Sequence, residues 1–395
     1  MLRFPVYLDY CSTTPCDERV LEAMLPFFTN IFGNASSRSH AFGWRADTAV
    51  EAARKSVASL IGADVKEIIF TSGSTEGCNL ALRGVFGMYA SKGNHIITVK
   101  TEHKAVLDTC KDLQKVGAEV TFLNVSKDGM IDLQELKNAI TPKTILIAVM
   151  YANNETGVIQ PVKEIGAIAK QHNVLFFSDA TQAVGKIPVS VVDDGIDLLA
   201  LSSHKIYGSK GTGALYVRRR NPRVKITPQI TGGAQENNLR SGTLNVPAIV
   251  GLGRACEICN TVIEQESARL KSLRDYLQVE LLTIDESYVN GALQSRLPHI
   301  CNISFKSLSS SQLLSILNKT LAISSGSACT SGSLDASFVL KAMGIEDGLA
   351  RGAIRFSMGR FSTKEEIDFA IEQVKAAVKK LRSESFEWKV FKSEQ

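Results

Sequence analysis

Short runs of apolar and β-branched residues recur along the first two thirds of the chain. They fall at residues 67–70, 95–99, 119–123, 144–150, 174–177, 197–201 and 213–217. Apolarity that is continuous rather than alternating marks strands buried on both faces of a mostly parallel sheet. Helical patterns lie between the runs. Ala46, Ala49, Val50, Ala53, Val57, Leu60 and Ile61 share one helical face that stops at Gly62. Another helix runs from Pro161 through Val162, Ile165 and Ala169. Strand–helix alternation of this kind predicts βαβ units with right-handed crossovers, here a large α/β domain with a seven-stranded sheet over residues 16–260. The texture changes after Val246, where a long helical stretch rich in Glu, Lys and Arg continues to about Leu282. Shorter strand candidates follow at 288–289, 301–305 and 353–356. They predict a smaller α+β domain made of residues 1–15 and 261–395, packed firmly on the first because no Gly/Ser linker separates them.

Composition narrows the class. Of 395 residues, 44% are apolar and 22% charged, enough for a sizeable core and against disorder. The net charge of +5 is spread over the whole chain, too dilute to argue for nucleic acid or an anionic membrane as partner. No uninterrupted apolar run reaches the roughly 18 residues of a membrane span, and the first residues lack the order of a signal peptide. Eight cysteines in a chain of this length do not make a disulfide framework, so the expected compartment is the reducing cytoplasm.

Ligands of doubly wound sheets bind beyond the carboxyl ends of the strands, so the residues after each strand carry the chemical information. After 67–70 comes Thr71-Ser-Gly-Ser-Thr-Glu-Gly77, which reads either as plain helix capping or as a phosphate cradle of free N–H groups. It is neither a Walker A loop nor a dinucleotide fingerprint. After 174–177 comes Ser178-Asp-Ala-Thr-Gln182, whose carboxylate is either a cofactor or metal ligand or a helix cap. After 197–201 comes Ser202-Ser-His-Lys-Ile-Tyr-Gly208. Its lysine is either an ordinary surface amine or, in a polar turn, one able to form a Schiff base. In this order, cradle, aspartate and lysine are the parts a pyridoxal 5′-phosphate (PLP) site needs.

With these residues in view, the chain resembles the fold-type I PLP-dependent transferases of the class V aminotransferase superfamily, and within them the cysteine desulfurases of the IscS/NifS group. The matching segments run nearly end to end. They include Tyr7-Leu-Asp-Tyr10, Thr101-Glu-His-Lys104, Asn153-Asn-Glu155, Arg240-Ser-Gly-Thr243, Ser324-Ser-Gly-Ser-Ala-Cys-Thr-Ser331 and Arg355-Phe-Ser-Met-Gly-Arg360, beside the three turns above. The resemblance implies that Lys205 holds PLP and shuttles the α-proton, that Asp179 pairs with the ring nitrogen and that Gln182 touches the ring hydroxyl. It implies that His103 stacks on the ring and moves protons. Ser74, Thr75, Ser202 and His204 are implied to bind the phosphate, with Thr243 reaching over from the second subunit of a homodimer. Asn154 and Arg355 are implied to hold the substrate, L-cysteine, and Asn154 to border the cofactor. No metal is implied.

Cys329 carries the distinguishing chemistry. Taken alone, the small residues of 324–333 read as a tight turn with a structural cysteine, or as a mobile loop. Beside the PLP motifs, the resemblance implies that Cys329 receives sulfur as a persulfide, releases L-alanine, and passes the sulfur to an acceptor protein, an iron–sulfur scaffold or a tRNA-thiolation enzyme. The long loop matches group I. Alternatives on the same scaffold are a selenocysteine lyase or another PLP lyase, and a non-catalytic partner protein, against which intact Lys205 and Cys329 argue. Three departures stand out: Gly232-Gly-Ala-Gln-Glu-Asn-Asn238 where the family has Gly-Gly-Gly-Gln-Glu-Arg-Gly, Ala35 in place of the usual Asn-Pro-Ser-Ser start, and Ser209 in place of proline. The sequence ends at 386–395 without the longer tail with which housekeeping members dock the scaffold, which bears on docking rather than on chemistry. The Cys256–Cys259 pair lies in a helical pattern and reads as core, Cys110 reads as buried packing, and Arg218-Arg-Arg220 as a solvated turn.

Overall fold

In the computed structural model, which describes residues 2–325 and 336–394, the seven apolar runs become neighbours in one sheet. Strand β1 (Val6–Tyr7) comes first in the chain. The seven follow as β2 (Ile68–Thr71), β3 (His95–Val99), β4 (Glu119–Leu123), β5 (Thr144–Ala148), β6 (Leu175–Asp179), β7 (Leu198–Ser202) and β8 (Gly213–Val217). Their spatial order is β2-β8-β7-β6-β5-β3-β4. Strand β8 runs antiparallel to both neighbours, whereas the remaining pairs are parallel. The carboxyl ends of β2, β3, β5, β6 and β7 therefore share one edge of the sheet. Edge strand β4 departs from the buried pattern: Glu119 is exposed and the next three residues are half-buried, because nothing pairs beyond it.

The flanking helices follow the apolar faces. The helix Ala41–Ile61 buries Ala46, Val50, Ala53, Val57 and Ile61 and is capped by Gly62 at φ +68°. The helix Val162–Gln171 buries Val162, Ile165 and Ala169. The helix Val246–Leu281 is long and apolar enough in its richest window to cross a membrane. Its first half, with Cys256 and Cys259, is instead buried in the core beneath the large sheet, which fits the reading of this Cys pair as packing. Cys110 is likewise buried, inside the helix Lys104–Gln114. Arg218 corrects the solvated-turn reading: it is mostly buried and pairs with Asp197 at 3.0 Å, while Arg219 and Arg220 are exposed.

The second half of Val246–Leu281 belongs to another core. Leu270, Leu277 and Leu281 pack with Ile303, Phe305, Phe356 and Val374. Over them lies an antiparallel sheet of β9 (Ser287–Val289), β10 (Ile300–Phe305) and β12 (Ala353–Ser357), ordered β12-β10-β9. Between β10 and β12 in the chain, β11 (Leu321–Ala322) pairs parallel with β1, Val6 opposite Leu321. Two-residue strands leave no periodicity to read, so the sequence pattern did not announce this pair. It fixes residues 8–14 against the carboxyl edge of the large sheet.

The segment 232–238, where the chain departs from the family it resembles, is anchored by a buried ion pair. Glu236 is 5% exposed and accepts from Arg54 Nη1 and Nη2 at 2.7 and 2.8 Å and from Phe70 N–H at 2.8 Å. Ala234, Glu236, Asn237 and Asn238 all have positive φ, between 48° and 64°. Asparagine tolerates that region, whereas Ala and Glu are strained there, so the ion pair holds a conformation the local chain resists. Glu236→Ala removes the buried carboxylate of Arg54 and leaves it only the half-exposed Glu51 at 2.9 Å, so it is expected to cost about 3 kcal/mol of stability, the low end for breaking a buried pair. Urea unfolding checks this; a loss within about 0.5 kcal/mol, as for an ordinary surface change, would contradict it.

Candidate active site

The topology alone collects the candidate residues. Ser74 and Thr75 follow β2, His103 follows β3, Asn154 follows β5, Asp179 ends β6, and Ser202 ends β7 with His204 and Lys205 next. Arg355 comes from β12, whose partner strand β10 carries Asn302, and Asn302 Nδ2 donates to the Glu155 carbonyl at 3.2 Å.

At one end, the helix Ser74–Met88 begins at Gly73 with no side-chain cap among the described residues. Its first N–H groups and its dipole therefore face outward, as an anion requires. Gly73 has φ +153°, and a side chain there would project toward the Ser202 hydroxyl, with Oγ 3.8 Å from the added carbon. Gly213 closes the same corner: a Cβ on it would come within 2.8 Å of Gly73 Cα. His204 lies beside this corner, its Nδ1 3.1 Å from Thr13 Oγ1. Burial, with the charges of Lys205 and Lys210, lowers its pKa to about 4. An unfolded histidine titrates near 6.5, so falling pH protonates the unfolded chain first. The cofactor-free protein is thus expected to lose stability between about pH 6.5 and 4, and His204→Asn to flatten that part of the slope. Urea midpoints across that window for both proteins measure it, and parallel curves would contradict it.

At the other end, Asp179 is buried. Its Oδ1 accepts from Thr181 N–H at 3.0 Å and from Thr181 Oγ1 at 2.5 Å. The Cys78 thiol lies near the same carboxylate, and burial first, then Asp179, raise that thiol's pKa well above its ordinary value. His103 caps the helix Lys104–Gln114, its Nδ1 accepting from Ala105 N–H at 3.1 Å. In the neutral ring this places the proton on Nε2.

Between the two ends, one strip of backbone gathers the remaining groups. Lys205 Nζ donates to the carbonyls of Cys11 and Ser12, the latter at 2.7 Å. Gln182 Nε2 donates to the same Cys11 carbonyl at 3.1 Å. Arg355, 3% exposed, donates to Ser12 Oγ at 2.9 Å, to Asp9 Oδ1 at 2.7 Å and to the Asn154 carbonyl at 2.9 Å. Its Nε is buried with no partner among the described residues. Asn154 thus meets the arginine through its backbone. Thr243 is exposed on the surface, and no hydrogen bond among the described residues ties it to this strip. Cys329 lies outside the described residues.

Sequence reasoning missed the strip itself. Tyr7-Leu-Asp-Tyr10 was a matched segment, but it takes the β1–β11 pairing, with the Asp9–Ser357 bridge and the Cys11 N–H bond to Ser357 Oγ, to bring Cys11 and Ser12 to Lys205. It also missed Glu102, which is 1% exposed. One carboxylate oxygen of Glu102 accepts from Met150 N–H at 2.5 Å, and the other has no partner among the described residues. Burial pushes its pKa well up, and its bond to Met150 ties the His103 turn to the segment that follows β5. The signal was its place between Thr101 and His103.

These residues fit PLP: an uncapped helix end with hydroxyls for a phosphate, a buried carboxylate for a ring nitrogen, and an amine and an imidazole between. Among the described residues there is no cluster of His, Cys, Asp and Glu able to hold a metal.

Comparison with known proteins agrees. The Aminotransferase class-V profile matches residues 6–369, and the chain belongs to that family of PLP-dependent enzymes. Among curated relatives, the cysteine desulfurases IscS of Actinobacillus succinogenes and Mannheimia succiniciproducens are each 52% identical over 393 residues, covering 99% of this chain and 97% of theirs. A solved NifS-like protein superposes with a TM-score of 0.89 at 36% identity, covering 95% of this chain and 99% of that one. The NifS-like protein of Rickettsia africae gives 0.83 at 29% identity, covering 94% and 98%. The chain is a cysteine desulfurase of the IscS/NifS-like group.

Proposed function

We propose that the chain converts L-cysteine to L-alanine and receives the sulfur on Cys329 as a persulfide. What supports this reading most is the convergence of Lys205, Gln182 and Arg355 on the Cys11–Ser12 strip, at the sheet edge that also carries Asp179 and the uncapped helix end. PLP, when bound, supplies a sink for negative charge at the substrate's α-carbon. The Asp179 carboxylate would pair with the ring nitrogen and keep it protonated. Lys205 Nζ takes the α-proton, and His103, with Nδ1 held by Ala105 N–H, carries its own proton on Nε2. Arg355, with Asn154 behind it, binds the substrate carboxylate through its guanidinium fork. The Cys329 thiolate attacks the substrate sulfur: an S–S bond forms, the C–S bond breaks, and its electron pair goes to carbon, which is then protonated to alanine.

The same reading places Ser74, Thr75, Ser202 and His204 on the phosphate, with Thr243 of a second subunit in a cytoplasmic homodimer. The exposed position of Thr243, next to a cleft lined by Leu244, Gln235, Trp44 and Arg38, supports that placement. It also divides the chain into a large domain over 16–260 and a small one made of 1–15 and 261–395, supported by the two cores that share the helix Val246–Leu281. The persulfide then passes to an acceptor protein serving iron–sulfur cluster assembly or tRNA thiolation. Purified enzyme with PLP, cysteine and a thiol reductant is expected to release alanine and sulfide in equal amounts and to sediment as a dimer. Alanine without sulfide, or a fully active monomer, would contradict this reading.

A further inference from the structure

Two residues past Lys205, the fully buried Tyr207 has φ +67°. A bulky residue keeps that conformation only when its surroundings enforce it. Its N–H donates to Thr14 Oγ1 at 2.9 Å, its carbonyl accepts from Asp17 N–H at 2.9 Å, and its hydroxyl accepts from Arg360 N–H at 2.5 Å. Two cations lie against its ring, the Arg360 guanidinium carbon 4.1 Å and Lys186 Nζ 4.3 Å from the centroid. Phe361 meets the ring edge-on at 5.7 Å.

Arg360 has its own counter-charges, Asp17 at 2.9 Å and Glu266 at 2.8 Å. Lys186 does not. It is 5% exposed, and its Nζ has no hydrogen-bond partner among the described residues. Glu266 Oε1, the opposing charge that acts on it, is also buried without a partner among those residues. A methionine would fill this space without the cost of a desolvated amine. What an ammonium adds is attraction to a ring face, strongest where water is excluded. Its position in the chain gives that attraction a use. Lys186 follows β6 in the turn that carries Asp179 and Gln182, and Tyr207 follows β7 in the turn that carries Lys205.

We infer that Lys186 and Tyr207 form a clamp between the two strand-end turns, in which the amine on the ring face holds Tyr207 in its left-handed conformation and so sets the direction in which Lys205 presents Nζ. Both are positioning residues, and the inference rests on Lys205 as the PLP-binding lysine. The test uses holoenzyme carrying Lys186→Met, Lys186→Arg, Tyr207→Leu or Tyr207→Phe, with Lys205→Ala as control. The readouts are kcat and KM for cysteine, and the visible circular dichroism of bound PLP relative to its absorbance, well below the melting temperature. Lys186→Met and Tyr207→Leu are each expected to lower kcat about ten- to a hundredfold, with KM within about twofold, and to change the dichroism ratio. Combining them is expected to be no worse than the more damaging single change. Lys186→Arg and Tyr207→Phe keep cation and ring, and are expected to restore the ratio and most of kcat. A wild-type ratio and kcat in Lys186→Met, with only a lower melting temperature, overturns the clamp. If that variant does not accumulate folded, the same result in Tyr207→Leu overturns it. Covalently held PLP in Lys205→Ala overturns the lysine assignment and the clamp together; its loss there beside an unchanged Lys186→Met ratio overturns the clamp alone.

Discussion

Lys205→Ala is expected to abolish covalent PLP attachment and to lower cysteine turnover by at least ~10³-fold, the scale on which a positioned proton carrier contributes. The wild-type protein should be yellow and, after borohydride reduction, carry PLP on the peptide containing Lys205. The variant should bind PLP only reversibly, through the helix end at Ser74 and the carboxylate of Asp179. The argument is geometric. Lys205 is directed onto two backbone carbonyls, Cys11 and Ser12, which accept from an ammonium but have no proton to exchange with it. An amine held in this way is oriented and also displaceable, because the Cys11 carbonyl already accepts from Gln182 and either carbonyl can turn to water. Folding should survive, since the variant removes hydrogen bonds to two backbone carbonyls that can turn to water and leaves the Tyr207 network intact. A borohydride-stable PLP adduct in Lys205→Ala, or turnover within tenfold of wild type, would contradict the assignment.

How far the sequence carried this site depends on the distance over which each signal acts. The strands of the large sheet are runs of four to five residues, buried throughout in all but the edge strand β4, so apolarity alone located them within one or two positions. Direction was not legible, because an apolar run reads the same both ways; the antiparallel β8 emerges only from pairing. Strand-end residues such as Asp179 and Lys205 were legible for a topological reason, since each immediately follows a readable strand. The Cys11–Ser12 strip was not, because it depends on a two-residue pairing between positions more than 300 residues apart. Arg54 and Glu236 were opaque in the same way: 182 residues separate them, and each looks like an ordinary surface charge until burial unites them. The resemblance to a known family supplied roles, such as the carboxylate-binding Arg355, that no local pattern contains.

The serine variant of Cys329 separates a desulfurase mechanism from simple elimination. Cys329→Ser keeps the size of the side chain but exchanges a thiol, which ionises near neutral pH, for a hydroxyl that stays protonated. In the proposed reading, everything upstream of sulfur transfer depends on other residues: Lys205, Asp179 and Gln182 for the cofactor, and Arg355 with Asn154 for the carboxylate. The variant should therefore bind PLP and show the same spectral change on adding cysteine as wild type. Alanine formation should nonetheless fall roughly 10³-fold or more, as when an essential nucleophile is removed, and persulfide labelling of the intact protein should vanish. The other cysteines are poor substitutes. Cys11, Cys78, Cys110, Cys256, Cys259 and Cys301 are buried, and burial raises the pKa of each, so little thiolate forms in them. Cys16 is exposed, but burial of its thiol and the neighbouring Asp17 carboxylate raise its pKa as well. A selenocysteine lyase would behave differently, because selenium leaves without a protein thiolate to accept it, and the variant would keep turning over selenocysteine. The decisive measurement is alanine formed from cysteine and from selenocysteine, beside a persulfide-specific label. Near wild-type desulfuration by Cys329→Ser would remove Cys329 as the carrier and require the sulfur to leave without one.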